Sequence, residues 1–182
     1  MYLTFEQTLE VIERFHNMTC GMPQVVYLTG WQFNGHDSKY PSWAEGNPAL
    51  KRECDEDPVD SLRWLIREAR KRFDCRVSLH VNMTDAYPES PLWEEYLEKD
   101  IVAKDLDGTP IPTSEWSGMM AYALSYTQEW KHGLAQKRID GLIKMIPELV
   151  YSGTIHIDAL LGARRADQQG PMSPYLGYSK EE

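Results

Sequence analysis

Three apolar, β-branched runs, at 24–30, 76–82 and 153–158, alternate with three amphipathic helical patterns, and this order limits the fold more than anything else in the chain. Strands separated by helices pair in parallel, because only a crossover as long as a helix can bring the chain back to the same end of a sheet. The first run, through Val25, Val26, Tyr27 and Leu28, is almost continuously apolar and predicts a strand buried on both faces. In the second, Val77, Leu79 and Val81 alternate with Ser78, His80 and Asn82. The third, entered at Gly153, is predicted to be buried through Ile155 and Ile157. It ends on a carboxylate, Asp158.

The helices have local signals. Thr4 and Gln7 have the spacing of a capping box, which predicts an amphipathic helix over 5–16 with Leu9, Ile12 and Phe15 or His16 on its apolar face. Asp57 followed by Pro58 opens a second helix, buried through Val59, Leu62, Leu65, Ile66, Ala69 and Phe73. Its Arg63, Arg67, Arg70 and Lys71 read as a solvated basic face. Thr127 is expected to cap a third, long helix whose buried side is Trp130, Leu134, Ile139, Leu142, Ile143 and Ile146, up to Pro147. The returns from helix to strand are short, at 74–75 and 147–152. The loops after the first two strands, 31–57 and 83–126, are long. Within the second loop a short helix is expected at 91–99 and a hairpin at 101–111, turning at Asp107-Gly108.

Long loops after strands and short ones after helices are the asymmetry of a barrel enzyme, whose chemistry sits at the carboxyl ends of the strands. The expected fold class is therefore α/β, a partial (β/α)8 TIM-type barrel with parallel strands and about three to four βα units. The 182 residues are short of the roughly 250 of a complete barrel. Residues 171–178 read as loop, and Ser179 followed by Glu181 and Glu182 reads as a helix start. Residues 1–182 are thus expected to form a single domain, the N-terminal portion of a barrel truncated at its C-terminal side. By itself such a piece is expected to be inactive, with open sheet edges.

A net charge of −9 argues against a nucleic-acid partner, which needs clustered cations. No apolar run approaches the ~18 residues of a membrane span, and no leader pattern is visible at the start. The three cysteines, Cys20, Cys54 and Cys75, fit neither a disulfide framework nor a zinc knuckle and read as free, mostly buried thiols. Six Trp fit either a dense core or rings that stack on sugar faces.

Polar residues gather after each strand: Trp31, Gln32, Asn34, His36, Asp37 and Tyr40 after the first, His80, Asn82 and Asp85 at the second, His156 and Asp158 at the third. Two chemistries suit them. Glycoside hydrolysis needs a carboxylate at the anomeric carbon and a second carboxylic acid near the leaving oxygen. Asp158 can be the first, with His36, Asp37, His80, Asn82 and Gln32 for hydroxyls and Trp31 for a ring face. Metal-assisted hydrolysis could draw ligands from His36, Asp37, His80, His156 and Asp158, although no His-x-His or His-Glu-x-x-His is present. Asp85 reads as a loop cap. A non-catalytic, carbohydrate-binding barrel piece is a third reading.

The elements Gly30-Trp31-Gln32-Phe33-Asn34-Gly35-His36-Asp37-Ser38, Ser78-Leu79-His80-Val81-Asn82-Met83 with Tyr87-Pro88-Glu89-Ser90, and Thr154-Ile155-His156-Ile157-Asp158 resemble the catalytic barrel of endo-α-N-acetylgalactosaminidases. The chain departs from the family pattern at Phe33, Asn34 and 159–162. The resemblance implies a retaining glycosidase that releases Gal-β1,3-GalNAc from Ser or Thr of mucin-type O-glycans. It implies Asp158 as nucleophile and Asp37 as a sugar contact. From their chemistry and position, Trp31, Gln32, His36, His80, Asn82 and His156 are expected to bind substrate, and no cofactor or metal is expected. The partner is then an O-glycosylated protein or oligosaccharide, met outside the cell or at its surface. The family's general acid, a Glu at the end of the next strand, maps beyond Glu182.

Overall fold

The structure, a computed structural model, describes residues 3–116, 118–158 and 173–177. They form two compact units. The first comprises the chain up to His36, Trp43–Val81 and Asp140–His156. The second comprises Asp37–Ser42, Asn82–Ile139 and the chain from Ile157.

In the first unit, α1 (Phe5–Met18) is held at its start by the expected box: the Thr4 hydroxyl accepts from Gln7 N, and the Gln7 side chain accepts from Thr4 N. It packs on α2 (Pro58–Phe73), which starts on the Asp57 carboxylate and the ring of Pro58. Strand β1 (Gln24–Leu28) pairs in parallel with β2 (Cys75–Asn82), Gln24 facing Cys75 and Leu28 facing Leu79. The sheet order is β1-β2-β6, with β6 at His156–Asp158. The mixed α/β class and the parallel pair are as the alternation predicts.

Burial departs from expectation in three places. Strand β1 is covered on one face only. Val25 is 51% and Tyr27 39% exposed, while Val26 and Leu28 share an apolar cavity with Phe5, Ile12 and Phe15 of α1. β6 is three residues long and lies at the sheet edge, and Ile155 before it is exposed. Cys20 and Cys54 are exposed, and Cys75 alone is buried. The basic face of α2 also does more than meet solvent. Arg63 and Arg67 converge on Glu148, at 2.9 and 2.6 Å, in the turn after the last helix.

In the second unit the segment expected to be mostly loop contains a three-stranded antiparallel sheet. Its order is β3-β5-β4, from β3 (Asp85–Ala86), β4 (Pro112–Trp116) and β5 (Met119–Ala123). Beside it lies the short helix α3 (Trp93–Glu98). The turn at Asp107-Gly108 forms as expected, Ile111 N reaching Ala103 O and Asp105 N reaching Thr109 O. The core is Ala86, Tyr96, Ile101, Val102, Leu124 and Leu134. The long helix is two helices: α4 (Tyr126–Lys131), capped by Ser125 rather than Thr127, and α5 (Leu134–Met145). Gly133, at φ +68°, separates them in a conformation other residues rarely adopt. The break turns Trp130 outward, 68% exposed, and Ile143 is exposed as well. The loop and helix start expected at 171–182 lie outside the described residues except for a 3-10 turn at Pro174–Leu176, bound through Tyr175 N to Lys104 O.

Candidate active site

In the first unit, the loop leaving β1 is stapled to 45–47. Asn47 N donates to Trp31 O, Asn47 Nδ2 donates to Gly30 O at 3.0 Å, and Phe33 N donates to Glu45 O. Gly46 allows this close approach: a Cβ there would lie 3.0–3.1 Å from Pro58 and the backbone of Val59, which would have to give by a few tenths of an ångström. Trp31 is fully buried, and its indole N–H donates to the carbonyl of His80 at 3.0 Å. Its ring is thus covered by protein, and it fixes the backbone of β2. Gln32 is 1% exposed, with neither amide atom hydrogen-bonded among the described residues.

Three imidazoles form a column in this unit. His36 meets His80 edge-on at 4.8 Å between centroids, and His80 stacks on His156 at 4.7 Å. The Nδ1 atoms of His80 and His156 are 2.8 Å apart, so one ring donates and the other accepts, and the pair cannot both be doubly protonated without losing that bond. Tyr27 packs on His156 from the other side and bonds Thr154 Oγ1.

The second unit holds Asp37, Asn82 and Asp158. Asn82 closes β2 with its amide oxygen taken three times, by Thr84 N at 2.7 Å, Thr84 Oγ1 and Asp85 N. Its Nδ2 donates to Asp85 Oδ2 at 2.7 Å. Asn82 therefore builds the turn that presents Asp85. Asp85 also accepts from Thr113 Oγ1 of β4. Burial raises its pKa. The hydrogen bonds from Asn82 and Thr113 oppose that, and the charge of Asp158 adds to it.

Two phenols stand among these acids. Tyr40 and Tyr87 are buried, 6.2 Å apart between ring centroids, and Tyr87 N donates to Tyr40 O. Burial raises the pKa of Tyr40 far above its ordinary value, and the charges of Asp37, Asp158 and Asp85 raise it further. Tyr87 is raised likewise, by burial and then by Asp37 and Asp85. Both remain neutral hydroxyls at any working pH. The Tyr87 hydroxyl has no partner among the described residues. One unit thus holds a set of three half-buried carboxylates and two buried, neutral phenols. Such a set suits a polyhydroxylated ligand that acquires positive charge during reaction.

Sequence reasoning singled out Asp37 and Asp158 but passed over Asp85, read as a cap, and Tyr87. A usable signal was the spacing Asn82-x-x-Asp85-x-Tyr87 directly after a strand, which puts an acid and a phenol at its carboxyl end.

Solved structures of similar fold are glycosidases. An α-N-acetylgalactosaminidase from Bifidobacterium bifidum in complex with Gal-NHAc-DNJ superposes with a TM-score of 0.64 at 17% identity, over 98% of this chain and 25% of that one. An α-galactosidase from Thermus thermophilus gives 0.55 at 20% identity, over 88% of this chain and 30% of that one. A xylosidase from Aspergillus niger gives 0.52 at 13%, over 79% and 17%. At these identities the likeness is one of fold, and the chain spans 30% or less of each of these proteins. Residues 3–170 match the family model described as endo-α-N-acetylgalactosaminidase, and the chain belongs to that family.

Proposed function

We propose that this chain is the N-terminal part of the catalytic barrel of a retaining endo-α-N-acetylgalactosaminidase, with Asp158 as its nucleophile and an O-glycosylated protein or oligosaccharide as substrate. The reading rests chiefly on one observation: Asp158 is the last residue of β6 and lies in the unit that also holds Asp37 and Asp85. Family membership and the glycosidase fold support it.

The chemistry asks for a protein nucleophile. In an α-linked GalNAc the 2-acetamido group lies on the same side as the leaving oxygen and cannot attack from behind. A carboxylate must therefore form the glycosyl-enzyme, which water then hydrolyses. Asp158 displaces the Ser or Thr oxygen, which leaves with a proton from a general acid. Water attacks the ester, its proton returning to that same acid. No described residue is assigned the acid, and neither Glu181 nor Glu182 is promoted to it.

Asp37 and the imidazoles of His36, His80 and His156 serve sugar hydroxyls. Gln32, with an unsatisfied buried amide, gains the bonds it lacks when a ligand or its water is present. Trp31 and Asn82 act by holding His80 and Asp85 in place.

In a catalytic domain of full family length that contains this chain, Asp158→Asn is expected to abolish turnover of an aryl α-glycoside of Gal-β1,3-GalNAc. Affinity for the free disaccharide should stay within a few-fold. Near-normal turnover by that variant would sink the assignment.

A further inference from the structure

A charged network in the second unit has no part in the chemistry above. Glu129 of α4 and Arg138 of α5 form an ion pair: Nη2 donates to Oε2 at 3.2 Å, and Nε lies 2.8 Å from Oε1 without the alignment of a hydrogen bond. Tyr96 donates its hydroxyl to the same Glu129 at 2.6 Å. Glu129 is 1% and Arg138 7% exposed, and Tyr96 is fully buried. Replacing such a pair with well-packed apolar groups is often neutral or stabilising, so its stability contribution does not account for its presence. Its geometry suggests another use. With Nη2 bonded to Glu129, Arg138 aims Nη1 at the carbonyl of Pro41, 2.8 Å away.

Pro41 lies in the segment Asp37–Ser42, which belongs to the second unit although the chain on either side of it belongs to the first. The segment is strained. Asp37 (φ 54°) and Lys39 (φ 57°) both adopt the left-handed conformation, which residues with a side chain disfavour. Contacts outside the segment must hold it there. Two consecutive carbonyls do so, Tyr40 O to Tyr87 N and Pro41 O to Arg138.

We propose that Arg138, oriented by Glu129 and Tyr96, is a positioning residue that fixes Asp37–Ser42 for sugar binding. The proposal rests on the reading of Asp37 as a sugar contact. Misplacing a polar contact by about 1 Å can weaken the reaction by roughly 10²-fold.

The test uses the catalytic domain of full family length. Arg138→Lys keeps a cation for Glu129 but cannot bridge the carboxylate and the Pro41 carbonyl together. It carries the test if Arg138→Met does not fold. Expected for Arg138→Lys are a thermal midpoint close to the parent's and disaccharide binding weakened roughly 10-fold or more, with KM rising more than kcat falls. Asp37→Asn, which tolerates the left-handed conformation, is measured alone and combined with Arg138→Lys. The combined loss should be clearly smaller than the product of the single losses, because both act through one contact.

Parent-like binding by Arg138→Lys overturns the proposal. Where Asp37→Asn itself weakens binding, losses that multiply overturn it too, because they would mark a general structural role. If Asp37→Asn binds normally while Arg138→Lys does not, the Asp37 reading fails and the positioning of the segment stands.

Discussion

Two carboxylates, the buried Glu148 and the half-buried Asp85, carry opposite pH signatures. Burial alone would push Glu148 up, but hydrogen bonds from Arg63 and Arg67 outweigh it and hold its pKa below the ordinary value. Its stabilising contribution is therefore full above the unfolded value of about 4.3 and is lost as pH falls through the folded one. Glu148→Gln should lower the thermal midpoint at pH 7, with the gap to the parent closing as pH falls toward 3. Because Arg63 and Arg67 are partly exposed, the loss at pH 7 should be about 1–3 kcal/mol, less than for a fully buried pair. For Asp85 the sign reverses. Its pKa is raised in the fold, so its contribution is greatest below about 3.9 and is lost as pH rises through the folded value. Asp85→Asn can still accept from Asn82 and donate to Thr113 Oγ1. Its midpoint relative to the parent should rise from pH 4 to pH 7. A pH-independent difference, measured by thermal scans of both proteins, would contradict the assignment of burial as the dominant cause.

At the scale of elements, what was legible was local. The Thr4–Gln7 box and the Asp57-Pro58 start are written in neighbouring residues, and both helices begin where those residues predict. The β3-β5-β4 sheet was not legible. Strand β4 reads Pro-Thr-Ser-Glu-Trp with little of it buried, and only pairing with β5 makes it a strand. The division of α4 from α5 had a signal, Gly133, but Trp130 and Ile143 extended the helical period across it and hid the break. A Cβ at Gly133 meets nothing within 4 Å, so its constraint is the backbone angle alone. Gly133→Ala should cost about 1–2 kcal/mol in urea denaturation and Gly133→Asn less. An alanine variant as stable as the parent would show that the left-handed joint is not needed.

For the whole molecule, the alternation of strands and helices led to the parallel β1-β2 pair, and the resemblance carried by the elements at 30–38, 78–83, 87–90 and 154–158 led to the family that residues 3–170 match. For the candidate site, the sequence offered residue types and not their partners. Residue types after each strand pointed to Asp37, His36, His80, His156 and Asp158. They did not reveal that Trp31 and Asn82 are consumed by protein hydrogen bonds, or that Arg138, a hundred positions from Asp37 in sequence, grips its segment. Such partners follow from packing and leave no local pattern. Everything proposed about activity turns on Asp158. The most direct measurement is to treat the full-length catalytic domain with a 5-fluoro aryl α-glycoside of Gal-β1,3-GalNAc, which slows hydrolysis of the glycosyl-enzyme, and to map the labelled peptide by mass spectrometry. One disaccharide should be esterified to Asp158. A label on another carboxylate, or turnover with inversion and no covalent species, would contradict it.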